Sequence, residues 1–284
     1  MKAQTRDLLQ IARERGAAVG AFNVYNLEGA KAVIAAAEAL RSPVILQIHP
    51  AALDYGGPPL VALCQTAAQE ASIPAVVHLD HCASAAVIER ALAAGMRSIM
   101  VDGSHLEYEQ NRAFTAEQTQ RVHQSGGVVE AELGRISGSE DGLAVSEREA
   151  RMTDPQRAAE FVQQTGVDML AVCIGNVHGH YARPPHFDFE RLAAIRDAVD
   201  LPLVLHGTSG VPDALVRRCI ELGVCKFNVN TELRDAFVAA LRSTEGDLLD
   251  LLKSSIRAMQ AVVEQKLRLF NAVGLADSVQ PPPG

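Results

Sequence analysis

The strongest constraint in this chain is an alternation. Short apolar runs recur between longer stretches of helical periodicity: Ala17–Asn23, Val44–Ile48, Ala75–Leu79, Ser98–Val101, Gly127–Glu132, Asp168–Ile174, Pro202–Leu205 and Val224–Val229. Runs that are continuously apolar mark strands covered on both faces, as in parallel sheets. Strand–helix alternation over 284 residues predicts a single α/β domain spanning 1–284, a (β/α)8 TIM barrel. An open doubly wound sheet is the alternative. Against it, the first strand is followed by no G-x-G-x-x-G.

The helical stretches fill in the pattern. Thr5–Arg15 predicts an extra N-terminal helix, and Leu248–Phe270 a helical tail. Between them lie Leu27–Leu40, Pro59–Glu70, Glu109–Gln124, Phe189–Val199, Pro212–Glu221 and Thr231–Leu241. Ser84 is placed to cap a helix reaching Ala94, and Asp154-Pro155 is a strong helix start. Two segments, Gly134–Glu147 and Gly175–Phe187, carry neither period and read as long loops, which in compact domains are commonly functional. Gln280–Gly284 reads as a frayed end.

Formal charge is −8, and no Lys/Arg-rich block stands out. Nucleic acid and anionic membrane surfaces are therefore poor partners. Five cysteines without a C-x-x-C read as reduced, buried thiols. Met1–Arg15 has no apolar signal region, and no run is long enough to span a membrane, so a cytoplasmic location is expected.

In a parallel barrel, chemistry gathers where the strands end. The polar residues there are Asn23, His49, Asp80, His81, Asp102, Glu132, His178, His206 and Asn228. A single strand-end histidine is usually a hydrogen-bonded structural residue, the role expected of His78; His105, His123 and His186 read as surface or packing residues. His81, His178 and His206 are different. Three imidazoles at three equivalent strand ends, with one position open, match a catalytic zinc site, with Asp102 and Glu132 as alternative or supporting carboxylates. His206-Gly207-Thr208-Ser209-Gly210 and Asn228-Val229-Asn230-Thr231 follow the last two strands and precede helices, where backbone amides hold phosphate.

These motifs in this order resemble the class II, metal-dependent ketose-bisphosphate aldolases, closest to the tagatose-bisphosphate aldolase branch. The resemblance runs nearly end to end. It is carried by Ala21-Phe22-Asn23, His78-Leu79-Asp80-His81, Asp102-Gly103-Ser104-His105, Val129 through Gly134, Glu140-Asp141-Gly142, His178-Gly179-His180-Tyr181, Leu205 through Gly210 and Asn228 through Glu232. It implies zinc on His81, His178 and His206, with Asp102 and Glu132 lining a second metal position. It also implies that Asp80 handles the C4 hydroxyl proton and Glu140 the proton at C3. Asn23, Gly179, Gly207, Thr208, Ser209, Asn228, Val229, Asn230 and Thr231 would bind substrate, dihydroxyacetone phosphate above all, with a monovalent cation (Na+ or K+) near the phosphate.

The implied activity is reversible cleavage of a ketose 1-phosphate or 1,6-bisphosphate to dihydroxyacetone phosphate and an aldehyde. Zinc Lewis acidity suits the enediolate of such a cleavage, and no Schiff-base lysine is needed. Lys226, in the last strand, is not singled out as a nucleophile. Asn176, Asn230 and His49 depart from the family pattern, as does the segment Ser243–Leu252. These departures spare the metal and bear on the distal end of the substrate, so the aldehyde could also be unphosphorylated or acidic. A zinc hydrolase or isomerase, and a non-catalytic zinc-binding accessory subunit, are the readings from other classes. The tail and the acidic surface are compatible with a homodimer or homotetramer.

Overall fold

The structure, a computed structural model, describes residues 4–140, 143–145, 150–179, 181 and 185–279, leaving aside the side chains of residues 139, 140 and 143–145. In chain order the elements are α1 (Thr5–Glu14), β1 (Val19–Asn23), α2 (Leu27–Ala39), β2 (Val44–Ile48), α3 (Pro50–Glu70), β3 (Ala75–Cys82), α4 (Ala85–Ala93), β4 (Ser98–Val101), α5 (Tyr108–Gln124) and β5 (Val128–Leu133). There follow β6 (Ser137–Glu140), β7 (Leu143–Val145), α6 (Pro155–Thr165), β8 (Met169–Val172), β9 (Val177–His178), α7 (Phe189–Ala198), β10 (Leu203–Leu205), α8 (Asp213–Glu221), β11 (Val224–Val229), α9 (Thr231–Ser243) and α10 (Leu248–Leu269).

Eight strands close a parallel barrel in the order β1-β11-β10-β8-β5-β4-β3-β2. The first and last strands pair directly, Ala21 beside Asn228 and Phe22 beside Val229. All eight predicted apolar runs are barrel strands, and both extra helices form.

Alternation along each strand sends one set of side chains inward and the other toward the helices. The inner set includes Val19, Ala21, Ile45, Met100, Val128, Met169, Ala171, Val204 and Cys225. Leu8, Leu9 and Ala12 of α1 pack against it. Helix α1 has one apolar stripe and spends it as a plug in the barrel's N-terminal end, leaving the opposite end for chemistry. The outer set, including Phe22, Leu46, Val129, Ala131 and Phe227, packs under the helices. Helix α10 lies on α2 and α9, and Phe270 just beyond it stacks on Phe227 with centroids 4.8 Å apart. Burying a side chain of that size contributes about 1.5–3 kcal/mol.

Several local expectations are corrected. The segment expected as the loop Gly134–Glu147 contains an antiparallel hairpin, β6 with β7, and β6 also pairs in parallel with β9 inside the second expected loop. Strand β3 continues past Leu79 to Cys82. Helix α3 joins two helical segments across a kink at Gly57 (φ 58°, ψ −160°): the second is the helix expected from Pro59, and the first is an addition from Pro50 that His49 caps through Nδ1, which accepts from the Ala51 amide. Ser84 stands at the N-cap of α4 without a side-chain capping bond, whereas Asp154 caps α6 by accepting from the amides of Gln156 and Arg157. Residues 280–284 lie outside the described residues. All five cysteines are buried and free. Among the described residues no helix is long and apolar enough to cross a membrane.

Candidate active site

Strand β3 brings two adjacent candidate residues to one site, which a regular strand cannot do, because neighbours point to opposite faces. His78 and Asp80 share the interior face. His81 should point away, into the helix layer. The backbone resolves this locally. His81 adopts a left-handed φ of 41°, and the register against β4 shifts between Leu79 and Cys82. A bulge with a strained residue re-aims a side chain, and both are common where strands end at functional sites. Asp80 and His81 thus both reach the rim.

The three strand-end histidines converge as expected. The His81 ring lies edge-on to those of His178 and His206, with centroids 4.9 and 4.6 Å away. One ligand atom from each of the three lies within 4.8 Å of the others, and the same holds for His81, Asp102 and Glu132. Asp102 Oδ2 sits 2.8 Å from His81 Nδ1, leaving His81 Nε2 as the free donor atom. Glu130 Oε1 sits 2.8 Å from His206 Nε2, leaving Nδ1. His178 Nε2 is buried with no hydrogen-bond partner, and His206 Nδ1 and Glu132 Oε2, buried as well, face each other at 3.3 Å. Buried polar atoms are normally satisfied, so an orphaned imidazole nitrogen beside a close imidazole–carboxylate pair fits a divalent cation that they would ligate. The carboxylate behind each of two imidazoles is the arrangement that orients metal-bound histidine.

The electrostatics follow from burial and close charge. Burial disfavours charge on His81, but Asp80 and Asp102 outweigh it and raise this imidazole to about 10. Burial pushes the Asp80 carboxyl up, yet His81, His206 and Lys226 hold it well below the ordinary range. Burial, then His81 and His206, hold His178 far below its usual value, so it stays neutral. Burial and Asp102 raise Glu132 against the pull of His206. A concentration of carboxylate around one raised imidazole is a site in which a proton stands where a metal would bind.

Asp80 is held from two sides. Asn23 Nδ2 donates to its Oδ2 at 2.9 Å, and Asn228 Nδ2 to its Oδ1 at 3.1 Å. Gln47 in turn donates to Asn23 Oδ1 at 3.0 Å. Two residues expected to touch substrate therefore also orient the carboxylate. Barrel closure makes this geometry, since Asn23 ends the first strand and Asn228 lies in the last.

The two loops expected to hold phosphate are tied to one another. Thr208 Oγ1 donates to the Asn228 carbonyl at 2.7 Å. The Tyr181 hydroxyl donates to the Gly207 carbonyl and accepts from the Val177 amide. Asn176, one of the departures from the family pattern, donates to the His206 carbonyl at 3.1 Å. The Asn230 Oδ1 accepts from the Tyr25 hydroxyl at 2.9 Å. Gly207 has φ 63°, and a Cβ there would lie 2.2 Å from the Val177 carbonyl oxygen, so only glycine fits. Ser209, Thr231 and Gly179 are buried beside these loops, and Val229 closes β11. Glu140 is the last residue of β6; its side chain, together with residues 141, 142 and 180, lies outside the described residues.

Sequence reasoning missed two interior residues. Glu130 lies two positions before Glu132, and Lys226 two before Asn228, so each shares its partner's inward face. That i, i+2 spacing was the available signal. His78 behaves as expected, with Nδ1 2.7 Å from Ser98 Oγ and burial lowering it to about 3. A cavity of about 570 Å3 opens at the opposite, N-terminal end of the barrel, lined by Gln4, Thr5, Gln65, Arg97 and Ser98 among others. None of the rim residues line it.

With this geometry in view, comparison with known proteins is decisive. Residues 3–275 match the family model described as fructose-bisphosphate aldolase class-II. The chain belongs to the class II fructose-bisphosphate aldolase family. Membership makes it an aldolase-type lyase. Among similar solved structures, a candidate fructose-1,6-bisphosphate aldolase from Coccidioides immitis is 39% identical, with a TM-score of 0.93, over 97% of this chain and 99% of that one. The YdjI aldolase from Escherichia coli K12 is 37% identical, with a TM-score of 0.89, over 97% and 100% of the two chains. A fructose-bisphosphate aldolase from Campylobacter jejuni, 22% identical with a TM-score of 0.77 over 94% of each chain, shares the fold.

Proposed function

We propose that this aldolase is zinc-dependent and reversibly cleaves a ketose 1-phosphate or 1,6-bisphosphate of the tagatose or fructose type, releasing dihydroxyacetone phosphate and an aldehyde. The observation that carries the reading is the convergence of three imidazoles, from three separate barrel segments, with one ligand atom of each within 4.8 Å of the others, beside the doubly held Asp80. His81, His178 and His206 would hold the zinc, with Asp102 and Glu132 available to a second position. Zinc bound there supplies Lewis-acid polarisation of substrate oxygens.

The chain's own residues do the rest. Asp80 uses one lone pair on each oxygen to accept from Asn23 and Asn228, and keeps others for the substrate. In cleavage it takes the proton of the C4 hydroxyl; in condensation it returns that proton to the aldehyde oxygen. Glu140 exchanges the proton at C3, brought in by a hairpin whose first strand is bonded to the His178 strand. Gly179, Gly207–Ser209 and Asn228–Thr231 bind the phosphate through backbone amides, helped by a monovalent cation.

A Schiff-base route has little support, because Lys226 is fully buried and engaged by Glu130 and Asn228. The deciding experiment incubates the zinc-loaded enzyme with dihydroxyacetone phosphate and a panel of aldehydes, with and without a phosphate or carboxylate. Product mass and stereochemistry are read. A single ketose phosphate series identifies the aldehyde class and the C4 configuration. No condensation with any aldehyde would reject the reading.

A further inference from the structure

The proposed chemistry leaves the buried ammonium of Lys226 unused. Lys226 is completely buried in the barrel interior, beneath the rim. Its Nζ donates to Asn228 Oδ1 at 2.7 Å and pairs with Glu130 Oε2 at 2.9 Å. Each partner passes the contact upward. Asn228 donates from Nδ2 to Asp80, and Glu130 Oε1 receives His206 Nε2.

Both upward contacts depend on direction. A carboxamide can present either end, and a cation against its oxygen permits one orientation only, with Nδ2 facing Asp80. A carboxylate whose charge is matched by an ammonium acts purely as an acceptor, so His206 must donate from Nε2 and offer Nδ1 to the metal. Buried ion pairs are poor sources of stability, because desolvation offsets their attraction. A lysine placed here is therefore better explained by what it orients. We infer that Lys226 is a positioning residue that sets the carboxamide of Asn228 and the tautomer of His206 together, so that one buried ammonium aligns the proton-handling carboxylate and the metal ligand.

The metal half of this inference rests on the proposed zinc site, and the test separates the two. Full-length wild type, Lys226→Met and the charge-balanced Lys226→Met/Glu130→Gln are stripped of metal. Each is titrated with zinc chloride against a chromophoric chelator, with circular dichroism as the check on folding. Cleavage of a ketose phosphate is then followed at saturating zinc.

Lys226→Met should bind zinc about 10–100-fold more weakly. Its kcat should fall about tenfold or more, while KM stays within about threefold. If Lys226→Met does not fold, the double variant decides, and its kcat should stay low because no cation holds Asn228. A merely structural lysine would lower the melting temperature without moving the zinc affinity of the folded protein. Wild-type zinc affinity and kcat in either folded variant would overturn the inference. Failure of the wild-type protein itself to take up zinc would instead remove the metal site on which half of it stands.

Discussion

Gly138 lies flat against the backbone of His178: a Cβ built on it would sit 2.1 Å from the His178 carbonyl oxygen, and its φ is 114°. The hairpin carrying Glu140 is thereby pressed onto a proposed metal ligand's own strand. Gly138→Ala should part β6 from β9, at a local cost of about 1–3 kcal/mol. Cleavage should slow, with hydrogen exchange rising at residues 137–138 and 177–178. Unchanged exchange and turnover would show that the contact is incidental.

Chelation should abolish cleavage, and zinc alone should restore it. Because Asp80 and Asp102 raise His81 to about 10, that imidazole carries a proton near neutrality when metal is absent. Zinc uptake at neutral pH should therefore release about one proton. Calorimetry in two buffers of different ionisation enthalpy measures the number. Full activity after chelation, or zinc binding without proton release, would contradict this.

Asp80→Asn removes the proposed base and keeps its shape. The expected loss in kcat is about 10²–10⁴-fold, with zinc content unchanged by elemental analysis. A variant that instead loses zinc would point to Asp80 as a ligand.

The metal-free protein should have two pH limbs. His81 is raised from 6.5 to about 10, so its contribution to stability is complete below 6.5 and disappears as pH climbs toward 10. His78 runs the other way. Burial, with Lys226 adding to it, lowers it to about 3, so its contribution is complete above 6.5 and is lost as pH falls toward 3. Thermal unfolding in chelator across this range should decline on both sides. His81→Asn should flatten the alkaline limb, and an alkaline limb unchanged by that substitution would disprove the assignment.

Glu232 accepts from both the Gly210 amide, at 2.7 Å, and Lys266 of α10, at 2.8 Å. The tail helix thus braces a proposed phosphate loop. Lys266→Met should raise KM for the ketose phosphate by about two- to tenfold while leaving zinc affinity alone. Steady-state kinetics with a parallel zinc titration would check it; an unchanged KM would deny the brace.

How much of this was readable in advance depends on where each residue sits. The barrel strands were legible because their sequences are apolar on both faces. The three imidazoles were legible because each follows such a run. Glu130 and Lys226 were less so: their i, i+2 spacing from Glu132 and Asn228 marks the inward face, but only closure of the strands brings each charge the partner 2.9 Å away. Strand β6, with the sequence Ser-Gly-Ser-Glu, has no intrinsic strand preference; pairing with β7 and β9 makes it one. The turn at His81 was equally hidden, since histidine does not announce a left-handed backbone.

Closure of the barrel by β1 and β11 has a consequence for biosynthesis. The clamp on Asp80 draws one amide from the first barrel strand to be synthesised and the other from the last. A nascent chain that has already released all three imidazoles still lacks Asn228 and Lys226. Such a chain has at most half of the clamp on Asp80, so competence for the proposed chemistry arrives only with the final barrel strand.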